Sequence, residues 1–103
     1  MGKSRNAKIS PIDKQRLEQS GGQPLPPAMK LSLENEFRTS LDDIRVHTGR
    51  NAQQITQKVG AKAYSVDNHI VFAPGVFQPN STQGRDLVKH ELAHVVQQRQ
   101  GKH

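Results

Sequence analysis

Apolar residues recur along this chain at two different spacings, and the change from one to the other sketches a small domain. Met29, Leu33, Phe37 and Leu41 stand four apart, which puts them on one helix face, and Pro27 suits a first helical turn. A first helix over about residues 27–38 is predicted. Asp42 and Asp43 break the pattern. Ile44-Arg45-Val46-His47 then alternates apolar and polar residues, as a short strand does when Ile44 and Val46 turn inward and His47 lies on the other face. Thr48-Gly49-Arg50 turns the chain. Asn51 is placed to cap a second helix carrying Ala52, Ile55 and Val59, and Gly60 suits the position just past its end. Residues 61–66 and 69–73 are β-rich runs split by Asp67-Asn68, a dipeptide that tolerates the positive φ of a two-residue hairpin turn. Pro79 and the Asn80-Ser81-Thr82 cluster open a third helix, expected over about residues 82–100 and stopped by Gly101. The expected fold class is α+β: a small antiparallel sheet, hairpin plus one strand, packed with three helices.

Residues 1–23 read differently. Only Ile9, Ile12 and Leu17 are large and apolar there, and the segment ends in Ser20-Gly21-Gly22. So little apolar surface cannot offset chain entropy, so a disordered or loosely helical leader is expected. Pro24-Leu25-Pro26-Pro27 is a stiff junction, and the folded part, residues 24–103, is expected to begin there.

Composition narrows the function. A chain of 103 residues holds one domain, and the absence of Cys excludes disulfides, thiolate metal ligands and a cysteine nucleophile. No apolar run approaches the ~18–20 residues of a membrane span, and the basic start is followed by no apolar signal region. Membrane insertion and a conventional signal peptide are therefore not expected, and the reading is cytoplasmic in the producing cell. The net charge of +6 divides evenly: residues 1–27 carry five basic and two acidic side chains, and the remainder ten and seven. Phe37, Tyr64, Phe72 and Phe77 are not interleaved with Lys and Arg, so no stacking platform for nucleic acid is expected either.

The third helix carries the chemistry. His90-Glu91-Leu92-Ala93-His94 spells H-E-x-x-H. On a helix the two histidines lie only ~40° apart around the axis and ~6 Å apart in rise, a spacing that lets both imidazoles close on one zinc ion. Glu91, about 100° round from His90, flanks such an ion as a general base rather than a ligand. Val88, Leu92, Val95 and Val96 fall at about 140–240° on the same wheel, so the apolar stripe faces away from the histidines. The competing reading is a solvated polar face that happens to spell the motif. Asp86 and Gln98, four residues before His90 and four after His94, are placed to orient an imidazole or to stand as exposed polar residues.

With these stretches in hand, the chain from Pro24 onward resembles the core domain of extracellular contractile injection systems, a zincin-like metallopeptidase family. The resemblance lies in Leu25-Pro26-Pro27, Leu41 to Thr48, Gly60 to Tyr64, Ile70-Val71-Phe72-Ala73-Pro74-Gly75 and His90 to Gln98. It implies a minimal zincin at the front of an effector loaded into a phage-tail-like particle. It also implies Zn²⁺ on His90 and His94, with Glu91 as the catalytic carboxylate. Expected partners are a peptide or protein substrate, which could be the effector's own flanking segment, and tube or lumen proteins of the particle, with export through it. Larger zincins take a third ligand downstream, but here Gln97 and Gln100 occupy the Gly and third-His places of the extended motif. That ligand must come from upstream, from the C-terminus, from another chain, or not exist. His47 is the first candidate, with a plain turn-bonding histidine as the alternative; His69 reads as an exposed turn residue and His103 as the chain end. The strand from His69 to Ala73, if it lies at the sheet edge, could hold an extended substrate. The rival reading is a non-catalytic loading module whose basic leader meets an acidic lumen.

Overall fold

Strand β3 (His69–Phe72) is the axis of the molecule, buried at all four positions, and every other element packs around it. The computed structural model describes residues 10–101. In chain order it holds α1 (Pro11–Ser20), α2 (Pro27–Phe37), β1 (Arg45–His47), α3 (Arg50–Val59), β2 (Ala63–Val66), β3 and α4 (Thr82–Gly101). The α+β expectation holds, with four helices and a three-stranded sheet ordered β1-β3-β2. The hairpin β2–β3 is antiparallel, and Asp67 turns it at φ 54°. The single strand β1 joins β3 in parallel, with Val46 opposite Ile70 and His47 opposite Val71, so the sheet is mixed rather than purely antiparallel.

Alternation along β3 divides the core in two. Ile70 and Phe72 point to the face covered by α2 and α4, where Met29, Leu33, Ile44, Val46, Val88, Leu92, Val95 and Val96 complete the larger cluster. Val71 points to the opposite face and meets Ala52 and Ile55 of α3 and Leu17 of α1. A strand buried on both sides belongs in the middle of a sheet.

Local rules explain the element ends. Helix α2 stops, as expected, where Arg38 turns left-handed at φ 57°, and Leu41, beyond its end, donates its N–H to Glu34 Oε2 at 2.8 Å. Gly60 closes α3 at φ 69°, as its position suggested. Asn51 does not cap α3: the cap is Gly49, two residues earlier, so Asn51 lies inside the first turn. Ser81 caps α4, its Oγ accepting from the Gly84 N–H at 2.9 Å.

The largest departure is α1. Residues 10–23 were expected to be disordered or loosely helical and to lie outside the folded part; Pro11–Ser20 is helical, but Leu17 is fully buried against the domain. Its stabilisers are mostly polar and invisible to hydropathy. Ser10 caps the helix through the Asp13 N–H, and Asp13 is itself buried against Lys58 of α3. The expectation for residues 1–9 lies outside the described residues.

Candidate metal centre

Helix α4 presents the motif much as its wheel predicts. Val88, Leu92, Val95 and Val96 are buried, while His90 and His94 are exposed, with ring centroids 4.7 Å apart. Glu91, only about 40° from Val95 around the axis, sits at the border of the apolar stripe and is 8% exposed. The element over it is β2, whose register with β3 turns Ser65, opposite Ile70, toward α4. Burial pushes the Glu91 carboxyl above its ordinary value; the neighbouring His94 and His90 and a hydrogen bond from Ser65 oppose that rise. A carboxyl raised by burial beside two imidazoles is suited to taking and returning a proton.

The three side chains share one cavity of about 330 Å³, lined also by Ala63, Tyr64, Ser65 and Gln98. Gln98 thus stands where it can meet an imidazole. Asp86 lines a different cleft, of about 480 Å³, between α2 and the start of α4. That cleft is the larger of the two but brings no histidine to its walls, so the chemistry belongs to the smaller cavity.

His47 does not join His90 and His94. It lies on β1, at the sheet edge away from β2, with its side chain on the face opposite α4. There its Nε2 is 2.9 Å from His69 Nδ1, one ring donating and the other accepting, and its Nδ1 is 3.4 Å from Ser20 Oγ. Both rings are buried, so His69 is not the exposed turn residue its position suggested. Burial, reinforced by the charges of His69 and Arg45, pulls the His47 value down to about 4, and burial likewise lowers His69. The cause of the misplacement is topological. Inward Ile44 and Val46 do put His47 on the other face, but that face is covered by α1 and α3 rather than by the motif helix.

The donor chemistry fits zinc at two positions. Paired imidazoles one helical turn apart suit the ion, but a catalytic zinc site takes three protein ligands. Among the described residues no group of three or more His, Asp or Glu side chains converges to hold a metal. His103 lies outside the described residues. Ser65 escaped the sequence reading: only the β2–β3 register, set by the Asp67-Asn68 turn, shows that it faces Glu91.

Comparison with curated proteins and with solved structures gives no match. The model of the eCIS core domain, the core domain of extracellular contractile injection systems, matches residues 24–102; the chain therefore belongs to that family, which ties it to an injection system.

Proposed function

We propose that the α4–β2 cavity is a zinc-dependent peptide-hydrolysing site on a protein that works with a contractile injection system. One observation carries this reading: two exposed imidazoles side by side on a helix, with a buried carboxylate flanking them and an edge strand alongside. His90 and His94 would hold the ion, with a further ligand from beyond the described residues or from another chain. Zinc, when bound, supplies a Lewis acid that makes water acidic near neutral pH. Glu91 accepts the proton released as water attacks the peptide carbonyl and delivers it to the leaving amine. Ser65 holds the Glu91 carboxyl toward the cavity.

Strand β2 is the place for an extended substrate. The strand from His69 qualified only as a sheet edge, and β3 is central with partners on both sides. β2 is an edge, and its residues line the cavity, so a peptide adding along it would pass the histidines. The test is elemental analysis for zinc together with cleavage of an unstructured peptide. Glu91→Gln should keep the metal and lose cleavage; His90→Ala should lose both. Undiminished cleavage by Glu91→Gln eliminates the carboxylate's role.

A two-imidazole donor set also favours a second reading, a module that loads cargo without catalysis. Normal loading by the Glu91→Gln and His90→Ala proteins, with no peptide cleaved by the unaltered chain, would select it.

A further inference from the structure

Helix α1 lies outside the matched family segment yet covers that segment's outer apolar face. Leu17 seats among Ala52, Ile55 and Val71 and is fully buried. One turn earlier, Lys58 of α3 donates to Asp13 at 2.9 Å. The remaining ties are polar: Lys14 meets Asp67 at 2.7 Å, Ser20 meets His47, and Arg45 Nε donates to the Gly21 carbonyl at 2.8 Å, a bond that must open when the arm moves. Ile12, the other large apolar residue of the helix, is 62% exposed. Ten residues are too few for a helix to persist alone in water, so α1 depends on one leucine and a polar fringe.

The joint is built differently. Gly21 and Gly22 both take positive φ, 76° and 64°. A Cβ at Gly22 would stand 2.9 Å from the His47 ring and the Val46 carbonyl, so this close approach requires glycine. Immediately afterwards the chain is pinned, Gln23 exchanging backbone hydrogen bonds with Val46 at 2.9 and 2.7 Å. A weakly anchored helix, a glycine pivot and a firm anchor follow one another within a few residues.

We propose that α1 is a displaceable arm, and that the surface beneath it is a docking groove for a short helix. That helix would carry one large aliphatic anchor and an acidic residue one turn before it. The groove is Ala52, Ile55 and Val71, with Lys58 at its rim; α1 is its occupant in cis, supplying Leu17 and Asp13. The arm swings at Gly21 and Gly22 while Gln23 stays paired with Val46, so the sheet keeps all its hydrogen bonds. The groove opens on the face opposite α4, and the proposal is independent of the chemistry there.

Hydrogen exchange on the unaltered full chain tests it. The helical amides of α1 should exchange at least about a thousandfold faster than those of β3, as a locally opening unit does. Leu17→Asp should bring α1 to the rate of a free peptide and leave β3 protected. A fluorescent peptide of residues 10–23 should then bind the Leu17→Asp chain and not, at the same concentration, the unaltered one. Equal exchange of α1 and β3 in the unaltered chain would show that arm and domain unfold together, which overturns the proposal. So would loss of β3 protection in Leu17→Asp, or no peptide binding to a variant whose β3 is intact. Dimers that trade the arm, seen by sedimentation at rising concentration, would make a second copy the occupant and overturn docking in cis.

Discussion

Acid should weaken this domain before its carboxylates are neutralised, because of the buried His47–His69 pair. The rings share one hydrogen bond at 2.9 Å, and His47 is held near a value of about 4 against 6.5 in the unfolded chain. Between those limits the unfolded chain binds more protons than the folded one, so stability is present above about pH 6.5 and is lost as pH falls toward 4. The whole displacement corresponds to at most about 3 kcal/mol, of which about 2 kcal/mol is lost between pH 7 and pH 5. Asp13, held low by Lys58, loses its contribution only below its ordinary 3.8, beneath that window. Glu91, raised by burial, acts with the opposite sign and offsets part of the slope. Urea unfolding followed by far-UV circular dichroism at pH 7, 6, 5 and 4.5 reads the effect. His47→Gln, whose amide can still reach His69, removes the His47 titration and should flatten the curve relative to the unaltered protein. Parallel curves for the two proteins would refute the assignment.

Three further outcomes follow from the packing. Gly84→Ala should gain up to about 1 kcal/mol in helix propensity, but its Cβ would stand 1.8 Å from the Gln78 carbonyl oxygen, so a net loss of about 1–3 kcal/mol is expected. An unchanged or higher melting temperature would show that the 75–81 loop does not press on α4. Phe72→Ala, at a fully buried position whose ring centroid lies 5.1 Å from that of Phe77, should cost about 3–5 kcal/mol in chemical denaturation. Glu91→Gln should raise the melting temperature of metal-free protein at pH 7, since it removes a charge that burial penalises. A lower melting temperature would mean that the carboxylate supports the fold rather than burdening it.

Much of this arrangement was readable from local periodicity. The spacing of Val88, Leu92 and Val95 placed His90 and His94 outward, and Asp67-Asn68 located the hairpin, because each depends on residues within a few positions. What escaped depends on distant partners. The parallel pairing of β1 with β3 brings His47 to His69 and takes it away from α4, and no short-range pattern encodes that. Helix α1 escaped for another reason. A single leucine and the pairing of buried Asp13 with exposed Lys58 hold it, and a segment stabilised by charge looks unfolded to any scale that counts apolar residues.

The sheet also separates two kinds of site. Along β3, Ile70 and Phe72 support α4 and its histidines, whereas His69 and Val71 support α1 and the buried imidazole pair. Closely packed layers transmit strain, but α1 touches the second set through one leucine, the Ser20–His47 contact and a fringe of polar pairs, so little strain crosses when it moves. Loss of Leu17 should therefore change exchange on the α1–α3 face and leave the spacing of His90 and His94 as it is, while loss of Phe72 should disturb both faces. A Leu17 variant that altered chemistry at Glu91 would require a path through Val71, the point at which the arm reaches the central strand.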